Sequence, residues 1–185
     1  MIKQQAIKPN RPIRVVLTGP ESTGKTTLAR QLAAKYDSLW VPEYARAYLE
    51  QLGRPYQKKD VLQIAKEQIK QEEKLAQRAN RILFCDTSMV VMKVWSEVKY
   101  GACDPWIEEQ LKKNTTDLFI LCGTEIPWTF DPLREHPNYR KELYQRYFAI
   151  LEAYHLPFIE VKGTIEQRIT QCQAAISKME TLIVK

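Results

Sequence analysis

The residue types best suited to chemistry lie in one stretch near the start of the chain, Leu17 to Leu28, with the sequence LTGPESTGKTTL. Within it, Gly19, Gly24, Lys25 and Thr26 have the spacing G-x-x-x-x-G-K-[ST]. Glycines let successive backbone N–H groups turn inward towards phosphate oxygens. The lysine ammonium can reach the β- and γ-phosphates of a nucleoside triphosphate, and the threonine hydroxyl can hold Mg2+. We therefore predict a phosphate-binding loop that takes ATP with Mg2+.

The sequence on both sides of this loop supports the same prediction. Residues 13–18 are predicted to form a buried strand, and residues 27–35 an amphipathic helix. The N-terminus of that helix would add the positive end of its dipole to the site. The predicted nucleotide-binding residues belong to the loop, with one glycine from a later turn: Gly19, Glu21, Ser22, Thr23, Gly24, Lys25, Thr26, Thr27 and Gly163.

Two carboxylates follow predicted strands further along the chain. Glu43 comes shortly after a short strand, and Asp86 is the last residue of an apolar one. Open parallel sheets bind their ligands at the carboxyl ends of strands, so both carboxylates are expected near the loop. Asp86 is predicted to hold Mg2+ together with Thr26, directly or through water. For Glu43, an ion pair with Arg46 on the same helix face is the alternative to a catalytic role.

A long, proline-rich loop, residues 123–138, follows the fourth predicted strand. Loops of this length at the carboxyl end of a sheet strand are usually functional, and this one is predicted to act as a lid. Arg134 within it can swing over the nucleotide and neutralise the transferring phosphoryl group. The alternatives are a surface arginine at this position and, for Trp128, a hydrophobic anchor for the loop.

The alternation of strands and helices predicts an α/β fold of three layers, in which a mainly parallel sheet of about five strands carries helices on both faces. With 185 residues, 44% of them hydrophobic, the chain is predicted to be one domain, residues 1–185, with residues 1–12 as a tail. The long helix predicted at residues 60–79 is expected to turn its charges to solvent, and the last helix is expected to run from Ile165 to about Ile176.

Composition narrows the class of partner. The net charge is +6, but the basic residues form no block, so a nucleic-acid partner is not favoured. No apolar run approaches the roughly 20 residues of a membrane span, and no signal-peptide core is visible, so we expect a cytoplasmic protein. The four cysteines form no C-x-x-C pair and are expected to be reduced, mostly buried thiols. The oligomeric state is left open.

The order of the motifs separates classes of nucleotide-using protein. A regulatory GTPase would carry Asn-Lys-x-Asp after a late strand, whereas the nearest stretch, residues 114–117, reads NTTD and precedes its strand. AAA-type ATPases are usually longer than this chain. A Glu after the second strand, an Asp after the third and an arginine-bearing loop after the fourth are typical of a small-molecule kinase. A kinase for another nucleoside or a nucleic-acid 5′ end, and a slow regulatory ATPase, are the alternatives.

The motifs also resemble those of a known family. GPESTGKTTL, EYAR, FCDT, TDL and IPWTFDPLR, in this order within residues 13–162, are similar to the ribosylnicotinamide kinase domain of the NadR-type proteins of bacterial NAD synthesis. The segment P-W-x-x-D-x-L-R is the most specific of them. The resemblance implies that ATP phosphorylates the 5′-hydroxyl of nicotinamide riboside, giving ADP and nicotinamide mononucleotide.

The resemblance also implies roles for individual residues. The catalytic residues would be Lys25, Glu43, Asp86 and Arg134. Similarity to deoxynucleoside kinases favours Glu43 over Asp86 as the base. The cationic nicotinamide ring suits aromatic faces and a carboxylate. The substrate-binding residues would be Glu43, Tyr44, Arg46, Asp86, Trp128 and Asp131.

Two departures from the family pattern stand out. Ser88 occupies a position after Asp-Thr where the family often has a second acidic residue, which affects the sugar or metal contacts expected there. Members of the family carry an adenylyltransferase domain with an H-x-G-H-type motif ahead of the kinase. This chain has only two histidines, His136 and His155, so we expect that it does not make NAD by itself.

Overall fold

The computed structural model describes residues 11–183, so most of the predicted tail at residues 1–12 lies outside the described residues. A parallel sheet of five strands forms the centre, in the order β2-β3-β1-β4-β5. Its strands are β1 (Ile13–Thr18), β2 (Leu39–Val41), β3 (Ile82–Asp86), β4 (Leu118–Cys122) and β5 (Phe158–Val161). The helices are α1 (Lys25–Lys35), α2 (Tyr44–Gln51), α3 (Lys58–Ala76), α4 (Met89–Tyr100), α5 (Pro105–Lys113), α6 (Arg140–Ala153) and α7 (Ile165–Ile183). The predicted α/β fold is confirmed.

Helices cover both faces of the sheet, which accounts for the three layers. Alternate residues of β1 point to opposite faces, as the pleat requires. Ile13, Val15 and Leu17 pack in the core under α1 and α7, whereas Val16 packs in the core under α3, α4, α5 and α6. Every residue of β3 and β4 is buried, which is why these strands read as continuous apolar runs.

The strand order brings three chain segments to one edge. β3 lies between β2 and β1, with Val41 paired to Cys85 and Leu17 paired to Asp86. The loop after β1, the turn after β2 and the end of β3 therefore meet at the carboxyl edge of the sheet. This is the edge at which open α/β sheets bind their ligands.

Helix α3 differs from its prediction. Asp60, Gln68 and Glu72 are buried, so the expectation that its polar side chains face solvent was wrong for them. Asp60 binds the Arg54 guanidinium at 2.8 Å and accepts the backbone N–H of Gln57, which closes a capping box. The last helix is also longer than expected and ends at Ile183 instead of near Ile176.

Burial raises the pKa of Glu72 to about 7, from an ordinary value of 4.5. Gln68, which donates to its carboxylate at 3.2 Å, and Arg14 both oppose the rise, whereas Glu73 adds to it. The folded protein thus binds this proton more tightly than the unfolded chain does. The stabilisation that results from this tighter binding of the proton is complete below pH 4.5 and is lost as the pH rises through 7.

We expect Glu72→Gln to remove this pH dependence and to be more stable than the wild type at pH 8 by about 3 kcal/mol. The amide keeps the shape of the side chain and can still accept from Gln68. Urea unfolding at pH 4.5 and pH 8 would measure the difference between the two proteins. Glu152→Gln, an exposed change on α6, is the control and should not change the slope. Parallel stability curves for wild type and Glu72→Gln would contradict the prediction.

None of the helices described between residues 11 and 183 is both long and apolar enough to cross a membrane. The four cysteines are free thiols, as expected: Cys85, Cys122 and Cys172 are buried and Cys103 is half-buried.

Candidate active site

The phosphate loop between β1 and α1 depends on its glycines. Gly19 has φ +126° and Gly24 has φ +78°, in the region of backbone conformation that side chains disfavour. A Cβ on Gly19 would lie 3.0 Å from the Cys122 carbonyl oxygen. The Lys25 ammonium donates to the carbonyl oxygens of Gly19 and Pro20 at 2.9 and 2.7 Å. The loop therefore curls around the lysine at the start of α1.

A cavity of about 580 Å³ opens beside this loop. That volume lies within the range of small-molecule sites, and its walls come from seven parts of the chain. They are the phosphate loop with the start of α1, the turn at Glu43, α2, the loop at Pro55 and Tyr56, α4, α6 and the lid loop (residues 123–138). This cavity is lined by most of the predicted catalytic and binding residues: Gly19, Glu21, Ser22, Thr23, Gly24, Lys25, Thr26, Thr27, Glu43, Arg46 and Arg134.

Of the two predicted carboxylates, Glu43 lines the cavity, whereas Asp86 is buried at the end of β3 and is not part of the cavity wall. Burial raises the pKa of Glu43, and the nearby Asp86 adds to the rise, while Lys25 and Arg46 oppose it. Burial likewise raises the pKa of Asp86, an effect that the Thr26 hydroxyl and Lys25 oppose. Two carboxylates with raised pKa values beside a lysine are typical of a site that handles protons or cations.

Asp86 is 1% exposed, and neither of its carboxylate oxygens has a hydrogen-bond partner in the part of the chain that the structure describes. The Thr26 hydroxyl lies close enough to affect its pKa, but without hydrogen-bond geometry. Buried carboxylate oxygens without a partner are rare, and a cation satisfies them. The residues present therefore fit the predicted Mg2+ site formed by Thr26 and Asp86.

Buried hydroxyls without hydrogen-bond partners among residues 11–183 accompany Asp86. They belong to Thr18, which ends β1, and to Thr87 and Ser88, which follow Asp86. Thr87 has φ +132°, a conformation that costs a residue with a side chain about 1–3 kcal/mol. Such strain clusters at functional sites, and here it lies directly after the predicted metal ligand.

The lid loop is hydrogen-bonded to the phosphate loop. The Glu21 carboxylate accepts the backbone N–H groups of Glu135 at 3.1 Å and His136 at 2.7 Å. The Ser22 hydroxyl accepts the backbone N–H of Thr129 at 3.0 Å. Arg134 donates to Ser22 at 3.4 Å, so its guanidinium lies over the phosphate loop. The side chain of Glu21 thus contacts the lid loop, and its predicted nucleotide contact stays a prediction.

Two ion pairs hold the lid loop to the helices. Arg46 of α2 binds Asp131 at 2.8 Å, which raises the pKa of the guanidinium. The pKa of the Asp131 carboxyl is lowered by the backbone N–H of Leu133 first and by Arg46 second. Lys99 of α4 binds both carboxylate oxygens of Glu135 at 2.9 Å. Together with the phosphate-loop contacts, these pairs hold the lid loop against three sides of the cavity.

Besides Asp86, three residues predicted to bind substrate lie outside the walls of the cavity. Tyr44 lines a separate groove on the other side of α2. The Trp128 indole packs edge-on against Phe130 and donates to Glu21 at 3.5 Å. Asp131 accepts from Arg46 and from the backbone N–H of Leu133. Their substrate contacts stay predictions.

Gly163 also lies outside the cavity walls, but a buried arginine connects its turn to the phosphate loop. Arg168 of α7 is 0% exposed and binds Glu125 of the lid loop at 2.8 Å. Its guanidinium donates to three backbone carbonyl oxygens, those of Gly163 at 2.9 Å, Thr23 at 2.7 Å and Gly123 at 3.1 Å. In the sequence, nothing distinguishes Arg168 from the other residues of the last predicted helix.

The aromatic residues that do line the cavity are Tyr56, Trp95 and Tyr147. Trp95 is half-buried and faces the cavity. Its ring packs edge-on against Tyr56, with centroids 5.1 Å apart. No motif marks these positions, because they lie on a connecting loop and two separate helices.

A protein-family model described as "AAA domain" matches residues 14–168. The chain belongs to this AAA-domain family. The short chain is therefore no argument against the AAA-domain family. The activity of this chain within the family has to be argued from its site.

Two curated proteins that are similar to this chain have a more specific name. The trifunctional NAD biosynthesis/regulator protein NadR of Escherichia coli K12 is 27% identical over 180 residues, covering 94% of this chain and 44% of the relative. NadR of Salmonella typhimurium LT2 gives the same figures. The chain thus spans less than half the length of the curated relatives that it matches.

Solved structures share the fold. A crystal structure titled as NadR protein in complex with NR superposes with a TM-score of 0.67 at 22% identity, over 82% of this chain and 46% of that one. Deoxyadenosine kinase from M. mycoides with bound dATP gives 0.60 at 16% identity, over 89% and 99%. Thymidylate kinase from Ehrlichia chaffeensis gives 0.64 at 11% identity, over 89% and 98%. These likenesses show the fold of P-loop kinases.

Proposed function

We propose that this chain is an ATP-dependent kinase that phosphorylates the 5′-hydroxyl of nicotinamide riboside to give nicotinamide mononucleotide, in NAD salvage. One observation carries the proposal: the phosphate loop and Glu43 line a single cavity that continues between aromatic and apolar walls, and Asp86 is buried close to Glu43 and Lys25. Such a cavity has room for an acceptor beside the triphosphate. The identity to NadR over nearly the whole chain supports this acceptor, since one NadR structure contains NR and another contains AMP-PNP.

The transfer follows from these positions. The ribose 5′-oxygen attacks the γ-phosphorus of ATP, the bond from the γ-phosphorus to the β,γ-bridging oxygen breaks, and ADP leaves. The hydroxyl proton passes to Glu43, whose raised pKa suits proton acceptance near neutral pH. Lys25 and Arg134 stabilise the negative charge on the transferring group. Since this transition state is loose, holding the hydroxyl in line is a large part of what Glu43 contributes.

Mg2+ is part of the proposal, with Thr26 and Asp86 as the residues that would hold it. When bound, the ion would neutralise charge on the phosphates during transfer. The partnerless oxygens of Asp86 support this role. Asp86 is then occupied with the metal, which leaves Glu43 as the base.

The cavity walls suit a cationic aromatic ring. The nicotinamide ring of the riboside carries a fixed positive charge, and the faces of aromatic side chains attract cations. Tyr56 and Trp95 supply such faces within the cavity.

A cytoplasmic location, a single domain over residues 1–185 and the lack of a nucleic-acid partner stay predictions.

We expect nicotinamide riboside to stimulate ADP release from Mg-ATP strongly and to yield nicotinamide mononucleotide, identified by mass. The control is the same reaction without acceptor. The fold is shared with deoxyadenosine kinase, so adenosine, deoxyadenosine and uridine are the competing acceptors to test in parallel. ADP release unaffected by any acceptor would contradict the kinase proposal and favour a slow ATPase. A phosphorylated product from another nucleoside or an oligonucleotide alone would contradict the acceptor.

A further inference from the structure

A hydrogen-bonded relay runs from the acceptor side of the cavity to the lid loop. The Trp95 indole N–H donates to the Tyr56 hydroxyl at 2.9 Å, and that hydroxyl donates to the Glu135 carboxylate at 2.9 Å. Lys99 binds the same carboxylate, and its ammonium lies 4.6 Å from the centre of the Tyr56 ring. Tyr56 is the one member that bonds both to the aromatic wall and to the lid loop.

The lid residue that Tyr56 holds is directly joined to the phosphoryl-transfer machinery. Glu135 follows Arg134 in the chain, and its own backbone N–H, with that of His136, is bound by Glu21 of the phosphate loop. The backbone N–H groups of residues 135 and 136 and the guanidinium of Arg134 therefore contact the phosphate loop, and the side chain of Glu135 contacts Tyr56. A change in the position of the Tyr56 hydroxyl shifts the segment that carries Arg134.

The backbone at Tyr56 is itself held in place. Its carbonyl oxygen accepts the Tyr100 hydroxyl at 3.3 Å, and the next residue, Gln57, donates its N–H to Asp60 at 2.7 Å. Asp60 is buried and paired with Arg54, so the loop between α2 and α3 has fixed anchors. The Tyr56 hydroxyl thus contacts the lid loop from a backbone position that its neighbours hold in place.

We propose that Tyr56 is a positioning residue for phosphoryl transfer: its hydroxyl fixes Glu135, and with it Arg134, while its ring forms part of the wall against which the acceptor binds. The acceptor and the lid loop then share one side chain. The proposal about the acceptor rests on the proposed kinase function, whereas the link to the lid loop does not.

Tyr56→Phe separates the two parts, because it removes the hydroxyl and keeps the ring. We expect the backbone amides of Glu135 and His136 to exchange with deuterium about tenfold faster in this variant, since the segment opens more often. We expect kcat to fall about tenfold. The Kd of nicotinamide riboside, followed by tryptophan fluorescence, should stay within about threefold of the wild-type value because the ring remains.

Glu135→Gln and the double variant test the same contact from its other end. If Tyr56 acts through Glu135, the double variant loses no more activity than the more impaired single variant. Tyr139→Phe is the control: its ring is partly exposed at the end of the lid loop, and its hydroxyl makes no hydrogen bond among residues 11–183. It should match the wild type in exchange and in kcat.

The outcomes of this experiment can be told apart. Unchanged amide exchange in Tyr56→Phe would overturn the link to the lid loop, whatever the acceptor is. Faster exchange with wild-type kcat, or losses that multiply in the double variant, would overturn the positioning role in catalysis. A wild-type protein that does not phosphorylate nicotinamide riboside would overturn the proposed function instead, and the exchange result would still decide the relay.

Discussion

Replacing Lys25 with methionine is expected to lower kcat/KM for ATP about a thousandfold. The ammonium lies inside the curl of the phosphate loop, bound to the carbonyl oxygens of Gly19 and Pro20, where it can turn to the β- and γ-phosphates. Methionine has a similar length but no charge, so the transferring phosphoryl group loses its nearest fixed cation. Initial rates of ADP release over a range of Mg-ATP concentrations would measure the loss.

The same substitution has a second, independent consequence. Lys25 opposes the rise in pKa of both Glu43 and Asp86, so its removal should raise the pKa of both carboxyls further. The acidic limb of the pH–rate profile then moves to higher pH. Lys35→Met, an exposed change in the last turn of the same helix, should leave rate and profile unchanged. A Lys25→Met enzyme within threefold of wild-type kcat/KM would contradict the assignment of this loop as catalytic.

The phosphate loop was predictable because its chemistry is local in the sequence. The positive φ angles at Gly19 and Gly24 require glycine, and the lysine and threonine follow within two residues. The first strand was predictable for the same reason: β1 has the predicted limits, residues 13–18, because an apolar run leads directly into the loop.

The cavity wall could not be predicted in this way. Tyr56 and Trp95 are 39 positions apart, and only the packing of α3 and α4 brings their side chains together. In the sequence each is an aromatic residue at helical or loop spacing, which describes a core residue equally well. The burial of polar residues on α3 was not predicted for a related reason. Arg54, the partner that makes the burial of Asp60 favourable, lies outside the helix.

The lid loop shows where prediction from sequence stops. Its length and its arginine indicated a lid, and Arg134 does line the cavity. Which side of the loop faces the site depends on contacts that form only in the fold, such as Arg46 with Asp131. These contacts hold Asp131 against α2 and leave Glu135, which no motif marked, beside the acceptor wall.

Replacing Glu43 with glutamine is expected to lower kcat about a hundredfold to a thousandfold while leaving KM for ATP nearly unchanged. The amide keeps the shape and can still orient the acceptor hydroxyl, but it cannot take the proton. Glu50→Gln, an exposed change on the same helix, should behave as the wild type. Rates of nucleotide product formation at saturating ATP would give both parameters.

The pH profile decides whether Glu43 acts as a base or only as a ligand for the hydroxyl. A base works when deprotonated, so wild-type kcat/KM must fall as the pH drops through the pKa of Glu43. Because burial raises that pKa, the fall should begin well above the ordinary value of 4.5. In Glu43→Gln this limb should vanish and leave a low, flat rate, whereas an Asp86→Asn variant should instead need more Mg2+. A Glu43→Gln enzyme that keeps wild-type kcat and raises only the KM of the acceptor would remove Glu43 from proton transfer and leave it an orienting role.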